Sequence, residues 1–415
     1  MTFEISLSPQ VKELLARGVR ITNPCTVEIG EEVPLEAISS QGVEVHGPVR
    51  IVGSLTAIGP KVKLGQEGPV TIVNCQIGAA VELGGGYFVS SVFHPFSRLG
   101  NGAHVREACL LEEAASGAHC VGLKQTILFP FVTLGSLINF CDCLMAGGTD
   151  RKNHSEVGSS FIHFNFTPHQ DKATCSLFGD VPHGVMLNKP PIFLGGQGGA
   201  VGPLRLGYGT ITRAGTILRK DNPTEGLLLG NTSAGREVTP FYPGLYLDLP
   251  RRIRNNVVYI ANILALYTWY LHVRKLFVRD YWDKAVFEGS LKALENVLKE
   301  RRHRLEELAG KMSRCIQMAE RVLQGKKKEA VIAQATEFEG KWPLMQRVLD
   351  QGLAEELGAR HRDNFIKVLN GAAKADYIST IKALPPETSR LGTSWLQEVV
   401  DGIEERAMDY LPSCR

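Results

Sequence analysis

The 415-residue sequence predicts a parallel β-helix of hexapeptide repeats followed by an α-helical domain. Two observations carry this prediction. Between Asn153 and Asp221, short apolar runs end in glycine again and again: Val157-Gly158, Phe178-Gly179, Leu194-Gly195, Val201-Gly202, Leu206-Gly207 and Ala214-Gly215. Runs this short are not helices, and many hold β-branched residues. An apolar residue followed by glycine at multiples of about six is the pattern of a hexapeptide solenoid. Beyond Asp221 the composition changes, and from about residue 251 apolar residues follow the helical period.

Residues 1–18 are read as an N-terminal helix and cap. Residues 9–18 form one short helix, with Ser8 as its cap and Gly18 as its stop. Residues 19–221 contain no amphipathic helix. Ile58-Gly59 and Leu64-Gly65 lie six apart, as do Ile77-Gly78 and Leu83-Gly84, and Leu99-Gly100, Val121-Gly122 and Leu134-Gly135 continue the series less regularly. The expected coil is triangular, with about eighteen residues per turn and one inward apolar side chain per face. Roughly ten or eleven coils fit, each burying its face against its neighbours. One loop breaks the pattern, from His163 to Lys172, and its polar residues mark a place for a site.

Residues 222–250 are rich in proline and glycine and read as a linker or wrapping loop. Residues 251–415 read as the helical domain. Asn255 to His272 carries no Lys, Arg, Asp or Glu. Its apolar span is shorter than the ~20 residues of a membrane helix, so it is expected to be a core or oligomer-interface helix. Residues 291–323 fit heptads, with Leu291, Leu298, Leu305, Met312 and Ala319 at a and Leu294, Leu308, Cys315 and Val322 at d. Arg301 is the one fault at d. The segment reads as a coiled coil or a long helical hairpin. Further helices are expected to Leu411, interrupted at Gly352, Gly358, Gly371 and Pro385-Pro386. Nothing in this half looks catalytic, and packing or assembly is its expected task.

A net charge of +3 gives no electrostatic case for nucleic acid. Nine cysteines include no CxxC pair, and the Cys141/Cys143 CxC is too tight for a zinc knuckle. No metal is expected. Reduced thiols and an N-terminus without an apolar core region point to a cytoplasmic protein.

Arg106 and Lys124 lie eighteen residues apart, one full coil. They are expected to stack on one face as two like charges, a place suited to a phosphate or diphosphate, with Arg as a fork and Lys as a point charge. The other reading is two solvated surface cations. Asp142, a further coil on, is expected as a competing partner of Lys124.

The pieces Glu156-Val157-Gly158-Ser159-Ser160, His163-Phe164-Asn165-Phe166, Leu177-Phe178-Gly179-Asp180, Val201-Gly202-Pro203, Ala214-Gly215-Thr216 and Arg219-Lys220-Asp221 occur in this order. In order and spacing they resemble the acetyltransferase domain of the bifunctional glucosamine-1-phosphate acetyltransferase / N-acetylglucosamine-1-phosphate uridyltransferase family, over about 65 residues, with a more distant match back to Arg106. The resemblance implies a left-handed β-helix and a homotrimer with acetyl-CoA in the groove between subunits. The backbone near Gly196 and Ala214 would contact its pantetheine arm. It also implies that Arg106 and Lys124 hold the acceptor's phosphate, and that Asn165, with Phe166 beside it in place of a Tyr, meets the sugar. The acceptor would be a sugar phosphate or sugar nucleotide on the route to UDP-N-acetylglucosamine.

The departures shape the expected chemistry. The family's general-base His corresponds to Ser136, a Tyr position to Asn139 and an Asn position to Glu156. About six extra residues, Thr149 to His154, precede the matching coil. His154 is the candidate replacement base, oriented by Glu156, and His163 and His169 are its rivals. No Gly-rich nucleotide loop precedes the repeats, so uridyltransfer is not expected. Three readings follow: a CoA-dependent acyltransferase, a degenerate relative that only binds a sugar phosphate or nucleotide, and a scaffold for the helical domain.

Overall fold

The computed structural model describes residues 7–230, 240–351, 357–371 and 376–415. Its first half is a parallel β-solenoid. Strands, most of them two to four residues long, wind around it in a repeating order. Arg98–Leu99, Ala103–Val105 and Leu110–Leu111 make one coil, after which Ser116–Gly117 begins the next. The first face is an 11-stranded sheet running from Arg20–Ile21 to Leu228–Leu229. The second and third faces join into a 16-stranded sheet, because Val121–Leu128 and Ile138–Met145 each continue around the corner between them.

Burial differs by face, and the difference explains the architecture. First-face strands alternate exposed and buried, as in Phe193–Leu194 and Ile211–Thr212. Third-face strands Ala57–Ile58, Val92–Phe93 and Leu110–Leu111 are buried at both positions. A strand covered on both sides needs apolar residues throughout, and the helical region supplies the cover. Helix Tyr281–Ala309 packs on strands Ala57–Ile58, Gln76–Ile77 and Val92–Phe93, and helix Leu249–His272 on Ser176–Phe178. The junction is also polar. Arg274 pairs with Glu113 at 2.8 Å and donates to His94 at 2.8 Å, and the Tyr270 hydroxyl donates to Glu112 at 2.6 Å.

The uncharged segment, Asn255 to His272, forms most of helix Leu249–His272, which is buried along most of its length. Among the described residues no helix is long and apolar enough to cross a membrane. At the N-terminus, Ser8 caps helix Pro9–Ala16 by accepting the Val11 N–H, and Gly18 takes a positive φ of 93° to end the turn. The heptad segment is not one continuous helix. Tyr281–Ala309 ends at Gly310, and Met312–Val322 starts anew and packs on Gly325–Gln351. The a-position residues Leu298, Leu305, Met312 and Ala319 are buried nonetheless. Gly358 and Pro385-Pro386 fall at helix starts as expected, whereas Gly352 lies outside the described residues, as do 231–239 of the linker. Arg301 is no fault. It is the point where the long helix is tied to the solenoid, through a 3.0 Å ion pair with Asp142.

Candidate functional site

The second face offers a surface bounded by two corners. At its far end, toward the third face, His104 pairs with Gly122 and Val105 with Leu123, so Arg106 continues the ladder directly over Lys124. Lys124 in turn pairs with Cys141. The two expected phosphate ligands therefore share one face and one register. Lys124 does not meet Asp142 as expected. Its Nζ lies 3.5 Å from Glu107 Oε2 instead. Asp142 sits on the turn itself, at a positive φ of 58°, and is 4% exposed. One of its oxygens pairs with Arg301, and the other accepts from Asn165 Nδ2 at 2.8 Å. Cys141 is buried below Arg106. Burial pushes its thiol up to about 11, against the opposing pull of Arg106.

Asn165 opens the loop that leaves the coil after strand Ile162–Phe164. Phe166 is 59% exposed, and Phe164 lies outward on the face, close against Gly199, where a Cβ would sit 2.7 Å from the ring. His163 points the other way. Its Nδ1 donates to the Cys141 carbonyl at 2.6 Å, and its Nε2 accepts from Ser176 Oγ at 2.7 Å. Burial pulls it down to about 4, so it is neutral and structural at physiological pH. His169 is also occupied: it accepts the Gly244 N–H at 3.0 Å and lies 4.7 Å from the Tyr246 ring. Neither rival histidine is arranged as a base.

The near corner, between the first and second faces, carries a second group. Backbone bonds Leu137 N–His119 O, Ser160 N–Ser136 O, Gln197 N–Ser159 O and Gly215 N–Gly196 O link successive coils. They stack His119, Ser136, Ser159, Gly196 and Ala214 into one column. The family's base position, Ser136, and the two expected donor contacts, Gly196 and Ala214, therefore share a corner. Gly158 in the same corner has no room for a Cβ, which would meet the Gly196 backbone. Gly196 is half-buried and Ala214 exposed, so the column has accessible backbone with small side chains, which suits an extended chain laid along it.

Ser136 has a partner that the sequence reading missed. Its Oγ lies 2.9 Å from His119 Nδ1. With Nδ1 as acceptor, the serine hydroxyl donates to the imidazole, the arrangement in which a serine passes on or gives up a proton. The available signal was the spacing, since His119 precedes Ser136 by 17 residues, one coil. Between this pair and the Arg106–Lys124 end lies the outward row of the second face, including exposed Asn139, whose Oδ1 accepts from Cys141 Sγ. The five steps from Ser136 to Cys141 span roughly 16 Å at strand geometry, a gap that the long Arg and Lys stems shorten.

His154 lies elsewhere. The extra residues form the antiparallel hairpin Gly148–Asp150/Asn153–His154 at the third corner, between the third and first faces. There His154 Nδ1 bonds to the Arg151 carbonyl at 2.9 Å, and Nε2 is 3.9 Å from Glu156 Oε2. The chain thus brings His154 and Glu156 to each other, but on a different corner from Arg106, Lys124 and Asn165. Among the described residues no group of three or more His, Cys, Asp or Glu side chains is arranged to hold a metal ion.

The parallel β-solenoid is consistent with a hexapeptide-repeat acetyltransferase-like protein, and comparison with known proteins agrees. No family model matches the chain. Distant homologues cover about half of it. It is 26% identical over 222 residues to the Bifunctional protein GlmU of Thermotoga petrophila, covering 53% of this chain and 44% of that protein. It is 26% identical over 225 residues to the protein of the same name in Thermotoga maritima, covering 53% and 44%. The corresponding protein of Janthinobacterium sp. is 28% identical over 214 residues, covering 49% and 44%. The chain thus spans less than half the length of the curated relatives it matches.

Proposed function

We propose that this protein is a CoA-dependent acyltransferase acting on an amino sugar phosphate or amino-sugar nucleotide, in a reaction related to UDP-N-acetylglucosamine formation. One observation carries the reading: Ser136, Gly196 and Ala214, matched to the base and donor positions through separate stretches of sequence, stack in a single corner column that ends in a serine–histidine pair. The bound acetyl thioester supplies the electrophile. The rest is the work of this chain. Arg106 and Lys124 hold the acceptor's phosphate, Asn165 and Phe166 meet its sugar, and the amine is thereby turned toward the column. Ser136 takes the proton from the attacking amine as His119 Nδ1 receives the serine proton, and the thiolate leaving group recovers it. Positioning contributes most of the rate.

His154, oriented by Glu156, is the alternative base, and a second copy of the chain would have to contribute it. Assembly of copies is supported by the faces that the helices leave open. Phe193, Ile211 and Leu228 are exposed and in register along the first face, and Ile162 and Ile217 are exposed on the second. A homotrimer closed through these faces is the proposed form. A cytoplasmic setting suits the nine unpaired cysteines.

A specific observation favours a second reading, in which the ligand is bound but not acylated. Glu107 already neutralises Lys124, and the family's His is replaced. The two readings separate on CoA thiol release from acetyl-CoA in the presence of glucosamine 1-phosphate or UDP-glucosamine. Turnover supports the transferase. Thermal protection by UDP-N-acetylglucosamine without turnover supports the binding protein.

A further inference from the structure

The loop that carries Asn165 belongs to the solenoid, yet its anchors come from the helical half of the chain. Arg301 Nη2 pairs with Asp142 Oδ1 at 3.0 Å, and its Nη1 donates to the Lys172 carbonyl at 3.3 Å. Arg252, from helix Leu249–His272, pairs with Asp171 at 3.2 Å, and Asp171 in turn accepts from the Thr167 hydroxyl at 2.5 Å. Lys311 donates to the Gln170 carbonyl at 2.7 Å, and the linker closes on His169 through Gly244 and Tyr246. Arg301 and Asp142 are 1% and 4% exposed.

We infer that Arg301 is a positioning residue of the site, acting through Asp142 on Asn165, and that the helical region is a built-in clamp on the substrate loop. The inference rests on the functional reading above. The geometry makes the relay directional. The two Asp142 oxygens have separate tasks: Oδ1 faces the guanidinium, while Oδ2 accepts from Asn165. An Asn held by a carboxylate must donate through Nδ2, so its Oδ1 is the atom left to accept from a ligand. The clamp therefore selects a ligand that offers a donor there, a sugar hydroxyl or an amine. Without Arg301, Asp142 would be a buried charge lacking its countercharge and would not stay in place to orient Asn165. The position that breaks the heptad pattern is thus the one through which the helices reach the site.

The test uses the full chain and two probes, UDP-N-acetylglucosamine and glucosamine 1-phosphate, with affinity read by calorimetry. The paired variant Arg301→Met/Asp142→Asn removes both charges, so no lone charge is buried, and leaves at 142 an amide that Arg301 no longer holds and that can turn either its oxygen or its nitrogen to Asn165. Arg301→Lys is the milder companion should the pair fail to fold. The expected result is a roughly tenfold loss of affinity, matching Asn165→Ala, with no further loss when the changes are combined, since one hydrogen bond is at stake. Amide exchange over residues 165–171 should rise in the Arg301 variants alone. Two results would overturn the inference while leaving the functional reading intact: affinity unchanged in Arg301→Met/Asp142→Asn although Asn165→Ala loses it, or losses that simply add. If neither probe binds the unmodified chain, the functional reading fails and the inference falls with it.

Discussion

Ser136 Oγ and His119 Nδ1 lie 2.9 Å apart across one coil of the solenoid, at the corner that also carries Gly196 and Ala214. If this pair accepts the amine proton, Ser136→Ala and His119→Gln each lower kcat for acyl transfer by about 10²-fold with little change in KM. His119 is exposed, so neither change should disturb folding. Steady-state rates of the two variants and of His154→Ala decide the matter. Loss confined to His154→Ala would move the base to the third corner and require a second copy of the chain.

Glu107 competes with any anion for Lys124, because its carboxylate lies 3.5 Å from the ammonium. Glu107→Gln should therefore strengthen phosphate binding roughly threefold, the scale of an exposed ion pair. Lys124→Ala and Arg106→Ala should weaken it roughly tenfold. Titration with glucosamine 1-phosphate measures both. Glu107→Gln leaving affinity unchanged, or lowering it, would mean that phosphate does not bind at this ladder.

The Arg301–Asp142 pair ties the two halves of the chain together. Arg301→Ala strands a buried carboxylate and should cost about 3–5 kcal/mol of stability. Replacing both partners by neutral residues should cost less than that single change. Denaturant unfolding of the single and double variants provides the comparison, and equal losses would argue that the pair contributes only shape.

His163 provides a pH signature. Burial lowers its pKa from the ordinary 6.5 to about 4, so the unfolded chain binds the proton more tightly than the folded one. The resulting stability is complete above pH 6.5 and is lost as pH falls through 4, amounting to about 3 kcal/mol. His163→Gln keeps a donor for Cys141 and an acceptor for Ser176 without titrating. The difference between the two stability curves should therefore have this shape, and a constant difference across that range would contradict it.

The solenoid was legible because its physics is local. An inward apolar residue and a small corner residue recur in every coil, and the register of Arg106 over Lys124 follows from counting alone. His119 was equally within reach of counting, one coil before Ser136, but an exposed histidine carries no sign in the sequence until a partner is stacked on it. The fate of Asp142 was not legible. Its partner Arg301 lies 159 residues away on a helix whose docking depends on the whole third face. Read by heptad, that arginine was an error in a pattern; read in space, it is a partner. The split at Gly310 was hidden for a related reason, since the residues on both sides of the break are buried and keep the apolar period across it.

The most direct test of the central claim is release of free CoA thiol from acetyl-CoA by the full chain, with glucosamine 1-phosphate as acceptor and the N-acetylated product identified by mass. Amino-sugar-dependent release that Ser136→Ala suppresses is the expected result. No release with glucosamine 1-phosphate or with UDP-glucosamine would contradict it.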